Sequence, residues 1–258
     1  MNETTNMRLP YPHDLAKIIE LKLIHTPHHR TKPRSRRILF LLSLLTTLFF
    51  AGWQTRAQDP LRFKEEIAQL KLKIDSHWEQ ERPTQVFTGS SSIRMWKDLQ
   101  DRFPGHQILN TGFGGSQASD LQYYLDVLVL DYRPEKVFIY EGDNDLAEGK
   151  KPKQVLRTLQ EITDSIHMIY PGVPIVLISA KPSISRWNLR RKYRRFNRKL
   201  EKWTAEYSDL FFADVWNPML EGRRLDESLF IEDGLHMTQK GYDIWEEILQ
   251  PHLGAEPY

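Results

Sequence analysis

Short apolar runs rich in β-branched and aromatic residues recur along the chain at Gln85 to Thr88, Gln107 to Asn110, Val137 to Tyr140, Ile175 to Ser179 and Leu210 to Val215. Each has the length and composition of a buried strand, although Asp214 interrupts the last. Between them the apolar period changes. Leu121 to Leu130 reads as a helix, and Val155, Leu159, Ile162 and Ile166 recur at three and four, as on a helix with one buried face. Phe63, Ile67, Leu70, Ile74 and Trp78 set the same pattern over Leu61 to Glu79, and Ile93 to Leu99 reads as a short helix. Strand and helix alternate, which builds βαβ units and a parallel sheet covered on both faces. The pattern therefore predicts one three-layer α/β domain with about five parallel strands, running from about Leu61 to His252.

The first 57 residues do not follow this alternation. Residues 1–37 mix His, Pro, Arg and Thr without sustained periodicity and are expected to form a disordered basic leader. Arg34, Arg36 and Arg37 then precede an apolar run from Ile38 to Trp53. This run is short for a bilayer crossing, which needs ~20 residues, and close to the roughly 7 to 15 of a signal-peptide core. Residues 38–57 are thus read as a signal-peptide core or membrane anchor. Thr55-Arg56-Ala57 offers small residues where a signal peptidase inspects the chain, so Gln58 would begin a mature protein. Either outcome exports the remainder, to the periplasm or the extracellular space, with possible membrane association through Ile38 to Trp53.

Composition narrows the chemistry. The chain has no cysteine, which excludes disulfides, thiolate catalysis and zinc-thiolate sites. Its formal net charge of +2 is a property of the leader. Residues 1–57 hold 9 Lys+Arg against 3 Asp+Glu, leaving 36 − 9 = 27 against 34 − 3 = 31 in residues 58–258. A mildly acidic remainder gives no general signal for nucleic acid, and none is expected as a partner.

Four blocks can carry chemistry. Gly89-Ser90-Ser91-Ser92-Ile93 follows the first strand and places three hydroxyls where the strand turns into a helix. From the residues alone the serines either cap that helix or supply a nucleophile among Ser90, Ser91 and Ser92. Asn110-Thr111-Gly112-Phe113-Gly114-Gly115-Ser116 and Gly142-Asp143-Asn144-Asp145 follow the second and third strands. Near the far end, Asp233 stands three residues before His236, a spacing that lets a carboxylate hold one ring nitrogen while the other faces outward.

In this order the four blocks resemble the SGNH hydrolases, the esterase family also called GDSL-type, over roughly Gln85 to Pro251. The resemblance implies a flavodoxin-like strand order of 2-1-3-4-5 and a hydrolase domain filling 58–258. It makes Ser91 the nucleophile, with Asp233 and His236 closing a catalytic triad. It makes the Ser91 and Gly115 backbone N–H groups and the Asn144 amide an oxyanion hole, and gives Asp145 a bracing role. Ser90 departs from the family's usual Asp. The order Ser, Asp, His is shared with α/β-hydrolases, but their Gly-x-Ser-x-Gly turn is missing because Ile93 stands at the second glycine. Gly112 and Gly114 are expected as turn residues at positive φ.

Glu141, Asp143 and Asp145 could together suit a hard cation. The reading adopted is a site without metal or cofactor. Arg190 to Lys202 carries eight basic residues over the stripe Tyr193, Phe196, Leu200 and Trp203, and reads as a helix with its aromatic face inward and its basic face in water. An acidic polymer or anionic lipid surface is the other reading of that face. The expected function is a serine esterase for small or carbohydrate-borne acyl esters. The alternative is a binding protein for acylated or acidic glycans on the same fold.

Overall fold

The computed structural model describes residues 59–254. The leader of residues 1–37 and the apolar run Ile38 to Trp53 lie outside the described residues. Among the described residues, no helix is long and apolar enough to cross a membrane.

A 3-10 turn at Pro60–Phe63 opens into α1 (Lys64–Asp75). Five parallel strands follow: β1 (Thr84–Gly89), β2 (Gln107–Asn110), β3 (Lys136–Tyr140), β4 (Ile175–Ile178) and β5 (Leu210–Ala213). Their order is β2-β1-β3-β4-β5. In register, Val86 of β1 lies between Leu109 and Val137. The sequence-predicted strands agree to within two residues at each end. A two-stranded hairpin, β6 (Leu220–Glu221) and β7 (Arg224–Leu225), turns at Gly222 with φ +63 and has no apolar run to announce it.

The central strands are buried on both faces, and their side chains alternate between two cores. Val86, Val137, Ile139, Ile175 and Leu177 enter one core. Phe87, Phe138, Tyr140, Val176 and Ile178 enter the other, where the Phe87 and Phe138 rings stack at 4.1 Å. The first core is closed by α1, α4 (Ala118–Tyr123), α5 (Leu125–Leu128), α6 (Asp143–Ala147), α7 (Pro152–Ile169) and α8 (Arg190–Thr204). The second is closed by α2 (Ser91–Arg94), α3 (Leu99–Arg102) and α9 (Gln239–Leu253). Helix α7 buries Val155, Leu159, Ile162 and Ile166 along one stripe, worth roughly 8 kcal/mol as an upper figure for four buried aliphatic side chains.

Two expected helices are broken, each by a side chain that competes for backbone or packing. The run Ile93 to Leu99 divides because the Asn110 amide donates to the carbonyls of Ile93 at 2.7 Å and Trp96 at 3.2 Å. Leu121 to Leu130 divides at Tyr124, whose ψ of 16 leaves the helix. There the hydroxyl donates to Pro60 O at 3.1 Å and the ring packs edge-on against Phe113. Tertiary contacts thus outweigh helix propensity in both places.

Candidate active site

The carboxyl ends of β1, β2 and β3 meet where the strand order reverses, the position at which open α/β sheets form ligand crevices. Gly89 ends β1 at φ +124, and a Cβ there would stand 2.1 Å from Tyr140 O, so the strand exit admits only glycine. Ser90 N then donates to Tyr140 O at 3.0 Å, which binds the start of the Ser90 turn to the end of β3. Ser90 and Ser92 are buried, while Ser91 opens α2 and reaches solvent. Of the three serines that the residues leave open, Ser91 alone is not buried.

That hydroxyl has the expected partner. Ser91 Oγ lies 2.8 Å from His236 Nε2, and His236 Nδ1 lies 2.5 Å from Asp233 Oδ2. A carboxylate only accepts, so Nδ1 carries the imidazole proton and Nε2 is left to accept from Ser91. The other Asp233 oxygen accepts from the backbone N–H groups of Leu235 at 2.8 Å and His236 at 2.9 Å. Slight burial opposes ionisation of Asp233, but the hydrogen bonds from the His236 ring and from these two backbone groups hold its carboxyl at about 2. Gly234, at φ +62, makes the tight turn between Asp233 and His236, and Ser185 N donates to its carbonyl at 3.0 Å.

Gly115 and Asn144 sit on the other two loops. Phe113 N donates to Gly89 O at 2.9 Å, drawing the loop after β2 against the nucleophile turn. Asn144 Nδ2 donates to Ser116 O at 2.8 Å, which ties the loop after β3 to the residue beyond Gly115. Among the described residues, neither the Ser91 nor the Gly115 backbone N–H has a hydrogen-bond partner. One Asn144 amide hydrogen also remains free after the Ser116 bond. Gly115 has φ +71 and open space around it. The expected positive φ at Gly112 and Gly114 is corrected: neither has it. Gly112 is required instead by close approach, since a Cβ would lie 2.5 Å from Arg94 N and 2.8 Å from the Ile93 side chain.

The three acidic residues near Asn144 do not gather around one point. Asp145 is buried and accepts from Ala118 N at 3.0 Å and Lys150 Nζ at 2.8 Å, joining the loops after β2 and β3. Glu141 accepts from Ser116 Oγ at 2.6 Å, and burial, reinforced by the nearby Asp145 charge, raises its carboxyl well above the usual range. Asp143 accepts from Tyr140 at 2.9 Å, Tyr193 at 2.6 Å and Arg186 at 2.5 Å. Burial alone would raise Asp143, but the Lys181 and Arg186 charges and the Tyr193 hydroxyl bring it below its ordinary value.

Two residues of this arrangement escape sequence reasoning. Arg186 bonds Asp143 and also donates through its other terminal nitrogen to Asn144 Oδ1 at 2.9 Å. A guanidinium has no acceptor, so this contact fixes which way the Asn144 amide points. Lys181 is fully buried and donates to Leu235 O at 2.6 Å, inside the Asp233 to His236 turn, with Asp143 Oδ2 at 3.8 Å. Burial lowers its pKa while Asp143 raises it, leaving it below the ordinary value. Nothing in the spacing marks either residue. The weak signal available is a lone Lys and a lone Arg in the loop after β4, ahead of the basic helix.

The profile of the GDSL-like lipase/acylhydrolase family matches residues 78–244. The uncharacterized lipoprotein YqeF of Bacillus subtilis (strain 168) is 30% identical over 176 residues, covering 55% of this chain and 72% of that protein. A Streptococcus pneumonia structure named for platelet activating factor superposes with a TM-score of 0.66 at 23% identity, over 82% of this chain and 99% of that one. A GDSL-like lipase from Bacteroides thetaiotaomicron gives 0.59 at 20% identity, over 76% and 97%. A carbohydrate esterase family 3 protein from Talaromyces cellulolyticus gives 0.56 at 16% identity, over 66% and 96%.

Proposed function

Because the chain belongs to the GDSL-like lipase/acylhydrolase family, we propose that it is a serine esterase cleaving small or carbohydrate-borne acyl esters at Ser91. The observation that carries this reading is the unbroken hydrogen-bond chain from Asp233 through His236 to Ser91. Ser91 Oγ attacks the acyl carbon while His236 Nε2 takes its proton. The negative charge that forms on the carbonyl oxygen is met by the Ser91 and Gly115 N–H groups and the free hydrogen of Asn144 Nδ2. His236 then returns the proton to the leaving alcohol, and a water activated by the same imidazole releases the acid and restores Ser91. Asp233 keeps Nδ1 protonated throughout and stabilises the imidazolium.

The test is a panel of chromogenic esters from acetyl to long acyl, together with acetylated oligosaccharides. Ser91→Ala abolishes turnover, whereas Ser90→Ala and Ser92→Ala retain most of it, and an organophosphate labels Ser91. Labelling at a neighbouring serine sinks the register, and absence of both labelling and turnover favours a glycan-binding protein.

We also place the enzyme outside the cytoplasm, exported by the apolar run Ile38 to Trp53. The lipoprotein name of the Bacillus subtilis relative supports export. No cysteine among the 258 residues could carry a thioether-linked lipid, so the apolar run is the proposed device. N-terminal sequencing from the native host distinguishes release, with Gln58 first, from an anchor that begins upstream of Ile38.

A further inference from the structure

Helix α8 and the β6–β7 hairpin enclose a cleft of about 840 Å³. Its walls carry the guanidinium groups of Arg190, Arg191, Arg194, Arg195, Arg198 and Arg223, and no acidic residue lines it. None of the six forms an ion pair among the described residues. Glu201 and Asp214 lie in a smaller hollow that shares Arg194 and Arg198, and Asp214 is already bonded to the Trp216 and Asn217 backbone and the Asn217 amide. The basic character is not inherited from the domain, because residues 58–258 hold 27 Lys+Arg against 31 Asp+Glu. Nor is it an undifferentiated water-facing surface, since Lys192 turns inward to donate to Leu146 O at 2.6 Å while the arginines line the cleft.

Two further features give the cleft a chemistry. Trp187 and Trp216 lie parallel on its wall, with ring centroids 6.2 Å apart and an interplanar angle of 9°. Arg190 is held over Trp187 at 5.5 Å and donates to its carbonyl at 3.1 Å. The cleft also adjoins the esterase centre in the chain: Trp187 immediately follows Arg186, which bonds Asn144, and Ser185 bonds the Asp233 to His236 turn.

We propose that this cleft binds an acidic polysaccharide, and that the ester groups cleaved at Ser91 are carried on such a chain; the second clause rests on the esterase reading. Guanidinium forks match carboxylate and phosphate groups in a bidentate manner, and five of them along α8, with Arg223 on the hairpin, suit an anion that repeats. The half-buried Trp187 indole, backed by the buried Trp216, supplies an apolar patch for a sugar ring. A concave cleft admits a single polymer chain, whereas a lipid headgroup layer is met by protruding surfaces, which makes a membrane the weaker occupant of this shape.

Binding of polygalacturonate by the full chain carrying Ser91→Ala tests the site without requiring turnover. We expect saturable binding that falls steeply with added salt, and essentially none of neutral dextran. Adding R191Q, R194Q and R195Q, three exposed positions, weakens it at least about tenfold with an unchanged melting temperature. Equal binding by that variant, equal binding of dextran, or tighter binding of phosphatidylglycerol vesicles or a single-stranded oligonucleotide would each overturn the site. Hydrolysis of O-acetylated polygalacturonate and of p-nitrophenyl acetate by the unsubstituted chain separates the two clauses. Binding of the polymer with cleavage of neither ester overturns the esterase reading and leaves a polysaccharide-binding site, while cleavage of p-nitrophenyl acetate without polymer binding overturns the cleft alone.

Discussion

The two sides of the candidate site are built differently. On the side proposed for proton transfer, Asp233 leaves 43% of its side chain in water and is positioned by local bonds within one short turn. On the side proposed to hold the oxyanion, Asn144 is gripped at both amide atoms, and the network behind it is buried: Asp143, 5% exposed, gathers two tyrosines, Arg186 and the more distant Lys181. The difference fits the role proposed for each side. A proton carrier needs one correct partner at each nitrogen and can tolerate water nearby. A donor aimed at developing charge is effective only if it is already oriented when the charge appears. Lys181 links the two sides, since its ammonium bonds Leu235 O while facing Asp143.

Breaking the proton-transfer side gives the largest loss. His236→Ala lowers kcat by roughly 10⁶-fold, about as much as Ser91→Ala, because members of one catalytic unit are not additive. Their double variant, assayed on the best ester of the panel, is no slower than either single variant.

Removing the oxyanion donor is the next loss. Asn144→Ala lowers kcat by about a hundredfold with little change in KM, as expected for a bond made mainly in the transition state. A change in KM alone would assign Asn144 to ground-state binding.

Arg186 sharpens the comparison, because it acts through Asn144. Arg186→Ala frees the amide to rotate and leaves Asp143 with Lys181 as its nearest remaining cation. It should lower kcat by about tenfold and cost roughly 3 kcal/mol in denaturant unfolding. Arg186→Lys keeps the charge without the fork, so it recovers most of the stability and less of the rate. A variant that lost stability with kcat intact would make Arg186 structural only.

The smallest effect concerns acid stability. Asp233 is held at about 2, against an ordinary 3.8, so the unfolded chain binds its proton more readily. The stability it contributes is complete above about pH 4 and is lost as the pH falls towards 2. Urea midpoints at pH 5 and pH 2.5 should fall less for Asp233→Asn than for the unsubstituted chain, by a modest margin because Asp233 is largely exposed.

The sequence by itself determined the alternation of strands and helices, and thereby the layers and the buried stripe of α7, because burial on two faces or on one face dictates the period of apolar residues. The strand order was legible through a family pattern, which also singled out Ser91, Gly115, Asn144, Asp233 and His236 as the proposed site. Tertiary structure alone decided the rest. Tyr124 and Asn110 broke helices that their local sequence favours, since each satisfies a distant backbone carbonyl. Gly112 proved to be a matter of close approach rather than of dihedral angle. Arg186 and Lys181 read locally as two more basic residues. They become supports of the site only because the loop after β4 folds back over the segment that follows β3 and over the Asp233 turn, contacts between residues 42 to 54 positions apart that no local spacing encodes.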